Sequence, residues 1–210
     1  MRKGVGIACI ILGIACLLSS LGLVIYNRME ADAAEVTSRA LLQDVQKRIV
    51  HPTVPQPSRE EESVPELPEE TIPETQHQEM RSVPLENDDC IGILSIPVLE
   101  IELPVLTDWS YAKLKKAPCH YYGSCYDTDF VIAAHNYAAH FGRLTELRQG
   151  DLVLFTDTGG TTHSYEVVLR ETLPPTATEE MITSGFDLSL YTCTPGGANR
   201  VTVRCNKVND

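Results

Sequence analysis

Three residues of this chain could do chemistry together: a thiol, an imidazole and a guanidinium. Cys193 closes the apolar, strand-like run "LSLYTC", and Arg200 opens "RVTVRC" just across the turn "TPGGAN". His135 closes a third such run, "FVIAAH". A Cys–His pair suits attack on an acyl carbon, because the thiolate is the nucleophile and imidazole can hold and return the proton. With ordinary pKa values near ~8.5 and ~6.5, the ion pair is only about 1% of the neutral pair. A fixed cation favours the thiolate. Arginine never loses its charge and can also hold a developing oxyanion. Taken singly, each residue has a plainer reading. A strand cysteine usually fills a core, and a lone histidine at a strand end is usually structural. The chemistry requires that the three strand ends meet.

The elements that must bring them together lie in the last part of the chain. The 210 residues carry 29 acidic and 17 basic side chains, a net charge of -12. That balance argues against a nucleic-acid partner, which asks for a basic patch. From 52 to 89 the chain holds seven prolines and eleven Asp or Glu against two Arg. Such a segment buries too little apolar surface to offset ordering entropy, and scattered proline with like charge keeps it extended. It is expected to be a disordered linker that spaces the C-terminal part of the chain from the N-terminal part. Residues 90–210 are then of single-domain size. Their pattern is mainly β: "IGILSIP", "LEIELPVL", "TDFVIAAH", "DLVLFT", "THSYEVVLRETL", "FDLSLYTC" and "NRVTVRC". Short helices are expected at "DWSYAKLKK", with Asp108 as N-cap, at "FGRLTELRQGD", closed by Gly150, and at "TATEEMITS". Many short strands with turn signals predict an all-β, closed barrel.

The N-terminus reads as an anchor. Arg2 and Lys3 precede the 22 uncharged residues Val5 to Tyr26. As a helix these reach ~33 Å, enough to cross a ~30 Å hydrocarbon core. The basic flank places the N-terminus inside. "ADA" at 31–33 resembles a signal-peptidase site, but the apolar run exceeds the ~7–15 residues of a signal h-region. Residues 1–28 are therefore assigned to a transmembrane anchor and 29–51 to a membrane-proximal helix. Val36, Ala40, Leu41, Val45 and Ile49 form its loose apolar stripe. The protein is expected in the cell membrane, single-pass, with its C-terminal domain outside.

With these residues in place, "LSLYTC" resembles the TLxTC signature of the sortase family, Ser189 standing where threonine is usual. Leu190, Thr192 and Cys193 match, and Arg200 stands on the next strand as it does in the family. "AAHNYAAHFGRLTELRQGDLV" resembles the family's histidine block through Phe141, Leu144, Leu147, Gly150 and Asp151. "IGILSIPVLEIELPVL" is similar to its first two strands and "HYYGS" to the loop after them. The resemblance spans Cys90 to Val208. It implies an eight-stranded barrel, with Cys193 as nucleophile, His135 as proton-handling partner, Arg200 as stabiliser of oxyanion and substrate, and Thr192 shaping the substrate site. It also implies a reaction: cleavage of an LPxTG-like motif in secreted proteins, then transfer of the acyl group to an amine of a peptidoglycan precursor or a pilin. Ala134 departs from the glycine usual before the histidine. No Asp-Pro-aromatic lid motif precedes the barrel, and the segment before Cys193 is short for the long extra helix of class B, although "HN" at 135–136 resembles that class. The subclass stays open.

Other clusters are weaker. Cys119, His120 and Cys125 in "CHYYGSC" lack zinc-site spacing, whether joined by His140 or His163, although a Cys119–Cys125 disulfide is open. Cys205 reads as a packed thiol. Asp127, Asp129 and Glu171 are acidic loop or strand residues of ordinary kind, so neither metal nor cofactor is expected. Two other functions remain open: a membrane-anchored cysteine protease that releases its product to water, and a tethered binding module with a degenerate site.

Overall fold

The computed structural model describes residues 2–50 and 80–208. Of the stretch read as a linker, 52–89, residues 52–79 lie outside the described residues. Its last ten do not behave as spacer. Val83–Pro84 forms a two-residue strand, β1, that pairs with Asp89 and Cys90, and Leu85 is buried. The apolar pair Val83 and Leu85 has a sheet edge to cover, which the proline-rich composition hides.

Eight strands close the barrel: β2 (Asp89–Ile96), β3 (Ile101–Leu106), β4 (Cys119–Tyr122), β5 (Phe130–Ala133), β6 (Leu152–Asp157), β7 (Thr162–Leu173), β8 (Leu188–Cys193) and β9 (Arg200–Lys207). The order is β2-β3-β4-β5-β8-β9-β7-β6, and β6 returns to β2. The β3–β4 and β5–β8 pairs are parallel, and the rest are antiparallel. Alternation along the strands drives one set of side chains inward. Leu94, Ile96, Phe130, Ile132, Phe141, Leu144, Phe155, Tyr165, Leu188, Leu190 and Val203 form the core.

Several local expectations are corrected. "HYYGS" begins as strand β4 rather than loop, paired with β5. Ser110, not Asp108, caps the short helix α2 (Tyr111–Leu114), its side chain accepting from Lys113 N. Asp108 instead receives the Lys113 ammonium at 2.8 Å. Within "FGRLTELRQGD" only Leu144–Glu146 is helical, as a single 3-10 turn, while Phe141, Leu144 and Leu147 are all buried in the core.

The segments read as anchor and stalk form one element, helix α1 (Arg2–Val50). It contains an 18-residue window of mean hydropathy 2.5, long and apolar enough to cross a membrane. Its C-terminal half lies on the barrel against β2 and β3. The buried face is Ala34, Ser38 and Val45, with Leu41, Leu42 and Ile49 partly covered. Val36, assigned to the stripe from spacing, is 70% exposed. Positions 34, 38, 41, 45 and 49 fall on one helical face, and Val36 lies off it.

Candidate active site

β5 and β8 run parallel, Ala133 beside Tyr191, so their C-terminal ends emerge at the same rim. The Ala134 N–H donates to the Tyr191 carbonyl at 3.1 Å, and the Thr192 hydroxyl donates to the Ala134 carbonyl at 2.8 Å. Two hydrogen bonds therefore tie the segment entering His135 to the segment entering Cys193. Thr192 is buried and does not line the cavity. Its hydroxyl ties the two strand ends together.

The antiparallel return β8–β9 sets Cys193 directly opposite Arg200. The turn between them uses Gly196 and Gly197 at φ 81° and 78°, where a side chain would be strained. Arg200 Nη1 donates to the Gly197 and Asn199 carbonyls at 3.1 and 3.2 Å, which holds the guanidinium against its own turn. His135, Cys193 and Arg200 line one cavity of about 220 Å³. Pro174, Pro175 and Met181 from the connection carrying the next helix, and the aromatic side chains Trp109, Tyr111, Tyr121 and Tyr191, also line it. The three strand ends do meet.

His135 is half-buried, and burial holds its pKa below the ordinary value; Glu30 on α1 opposes that shift and Lys115 adds to it. Its Nε2 is buried and makes no hydrogen bond among the described residues. Its ring lies 4.8 Å from that of Tyr137, tilted by 32°. The loop after it folds back tightly, Phe141 N–H to the His135 carbonyl and Gly142 N–H to the Tyr137 carbonyl. A Cβ on Gly142 would lie 2.5 Å from the Asn136 carbonyl oxygen, so only glycine fits.

Two supports of the site were not legible beforehand. Arg204, almost fully buried, donates to Glu171 Oε1 at 2.8 Å, Ser189 Oγ at 2.8 Å and the Glu180 carbonyl at 2.7 Å. It ties β9 to β7, to β8 and to the connection carrying α3 (Thr178–Ile182). Ser189 is therefore the acceptor for a buried cation beneath the Cys193 strand. Arg204→Leu should cost ~2 kcal/mol, since it strips a charged hydrogen bond from fully buried Ser189 and from partly buried Glu171. Urea unfolding of the full chain measures this, and a loss under ~1 kcal/mol would refute it.

The second support is His140, fully buried between the His135 loop and α1. Neither ring nitrogen makes a hydrogen bond among the described residues, the Ala34 backbone facing the ring without reaching good geometry. Burial, with a smaller push from His135, lowers its pKa to about 4. The folded state thus prefers neutral His140. This contribution is fully present above the ordinary value of 6.5 and is lost as pH falls through about 4. At 1.36 kcal/mol per unit it amounts to about 3 kcal/mol. His140→Phe should flatten the decline in stability between pH 7 and pH 4, and parallel declines in both proteins would disprove the assignment.

The other thiols are unsuited to attack. All seven cysteines are unpaired, Cys119 and Cys125 included. Burial pushes Cys90 up to about 11 and Cys119, Cys125 and Cys205 up to about 12. Cys125, Asp157 and His163 form a separate Cys–Asp–His group, their ligating atoms within 4.8 Å of one another. There Asp157 accepts from Gly159 N–H, Thr161 N–H, Tyr126 O–H and the His163 ring. Burial opposes its ionisation, but these bonds outweigh it and hold the carboxyl below its ordinary value. The carboxylate pins the β6–β7 turn, and the Cys125 thiol lies sealed in the core.

The structure is thus a closed mixed barrel with a thiol, an imidazole and a guanidinium at one rim. The Sortase domain model matches residues 94–208, more than half of the chain, and the chain belongs to the sortase family. Sortase A from Corynebacterium diphtheriae is 26% identical, over 59% of this chain and 63% of that one, with TM-score 0.54. Sortase C1 from Streptococcus suis is 32% identical, over 58% and 74%, with TM-score 0.51. The match thus spans less than two thirds of the Corynebacterium enzyme. No curated protein matches the sequence.

Proposed function

We propose that this protein is a membrane-anchored cysteine transpeptidase. It cleaves an LPxTG-like sorting motif in secreted proteins and passes the acyl group to an amine of a cell-wall precursor or pilin, at the surface of a Gram-positive cell. The observation that carries the reading is the single cavity lined by His135, Cys193 and Arg200. The Cys193 thiolate attacks the carbonyl carbon of the motif's threonine. Arg200 faces the oxyanion of the tetrahedral intermediate. The intermediate collapses to a Cys193 thioester as the C–N bond breaks, and His135 gives its proton to the departing amine. The acceptor amine then attacks the thioester, His135 takes a proton from it, and Cys193 leaves as thiolate. The anchor is α1, N-terminus inside, with the barrel outside, since Arg2 and Lys3 precede the apolar run.

The alternative nucleophile for the thioester is water, which would make the protein a protease. Incubating the full chain in detergent with a sorting-motif peptide, with and without an added amine, separates the two readings. The proposal expects a mass shift on Cys193 that an amine discharges as an amide product. Release of carboxylic acid alone at saturating amine would favour hydrolysis, and absence of any adduct would favour a degenerate binding module.

A further inference from the structure

The segment "DWSYAKLKK" presents its aromatic side chains outward. Trp109 is 43% exposed and Tyr111 74% exposed, their rings meeting edge-on at 5.9 Å. Lys115 lies four residues beyond Tyr111, one helical turn on. Its ammonium pairs with Glu30 of α1 at 2.5 Å. Glu30 is four residues past Tyr26, where the uncharged run of α1 ends. At ~1.5 Å per residue that is ~6 Å along the helix, and the headgroup layer outside the hydrocarbon core is itself ~5–7 Å deep. The Lys115–Glu30 contact therefore fixes this patch at the level of the headgroups. Tyr26 and Tyr137 also lie close enough to influence Lys115 electrostatically.

We infer that Trp109, Tyr111 and Lys115 form a second membrane contact that seats the catalytic cavity on the headgroup layer of the bilayer crossed by α1. The inference rests on reading α1 as the anchor. Tryptophan and tyrosine favour this layer because one end of each ring system is apolar and the other makes hydrogen bonds, and lysine reaches it along its methylene stem. Charge attraction is not the driving force. Asp108 and Asp88 occupy Lys113 and Lys116, and Glu30 occupies Lys115, so zwitterionic lipid suffices. Trp109 and Tyr111 are also part of the wall of the cavity that holds Cys193. The seating brings the mouth of that cavity to the bilayer surface, where an acceptor carried on a lipid or a substrate still tethered by a membrane segment would arrive.

The chain has one tryptophan, so its emission reports Trp109 alone. The full chain should be reconstituted in phosphatidylcholine vesicles with bromine placed high on the acyl chains, near the headgroups, or near their ends. The expected result is co-flotation, with quenching on the order of two-fold by the shallow bromines, falling with depth. Lys115→Glu, which sets two acids together, should reduce that quenching. Co-flotation without quenching overturns this proposal alone. Failure to co-float overturns the anchor reading and this proposal with it. Emission that responds only to added sorting-motif peptide assigns the patch to substrate and overturns the membrane contact.

Discussion

A Cys193→Ala variant should form no acyl-enzyme with a sorting-motif peptide, and turnover should fall on the order of 10⁶-fold, as when other acyl-transfer enzymes lose their nucleophile. No other thiol of the barrel can substitute. Cys90, Cys119, Cys125 and Cys205 are fully buried, and their pKa values lie well above the ordinary thiol value. His135→Ala should be nearly as severe, since the departing amine then has no positioned proton donor. Cys205→Ala should leave most activity intact, because that residue pairs with Leu188 at the far end of β8 from Cys193, and its side chain lies in the barrel core. Intact-mass spectrometry after incubation with peptide is the measurement. An adduct that persists in Cys193→Ala, or undiminished turnover by His135→Ala, would end this account of the site.

The candidate trio His135, Cys193 and Arg200 is legible in the sequence where its placement depends on local patterns. Two strand-like runs around a Pro-Gly-Gly turn can only return antiparallel at that spacing, and the register Cys193 opposite Arg200 results. His135 is harder. Its proximity to Cys193 rests on the parallel β5–β8 pair, whose strands are more than fifty residues apart in the chain. Only the family pattern points there. The same limit hides Arg204, since nothing in "RVTVRC" says that its second arginine turns inward to meet Glu171 and Ser189.

The docked half of α1 escapes the sequence for a different reason. Ala34 and Ser38 are small and weakly apolar, so hydrophobic periodicity passes over them and selects Val36 instead. Small side chains let a helix approach a sheet closely, and which face does so is decided by the partner surface, here the outside of β2 and β3. His140 belongs to the same contact. In the sequence it looks like a spare metal ligand, yet it is walled in between the loop after His135 and the helix. Thr192 shows the converse: its position in the motif is legible, but its role as a bond to the Ala134 carbonyl is not.

Arg200→Lys should reduce kcat/KM about 10²–10³-fold while leaving the fold intact, the loss seen when one oxyanion donor is removed from comparable sites. The positive charge is retained in this variant, so the loss would have to come from geometry. The guanidinium is a planar fork, and here its Nη1 is already held by the Gly197 and Asn199 carbonyls at 3.1 and 3.2 Å. That leaves its remaining donors directed from a fixed position at the cavity beside Cys193. A lysine ammonium is a point charge on a flexible stem and cannot satisfy both carbonyls while facing the substrate. The cost should fall mainly on kcat, because the oxyanion exists only once the thiolate has attacked. Arg200→Ala should be worse still, since charge and geometry are both lost. Steady-state kinetics on peptide substrates, with thermal unfolding to verify the fold, decide the matter. If Arg200→Lys raised KM and left kcat untouched, Arg200 would be a ground-state substrate clamp and its assignment to the oxyanion would be wrong.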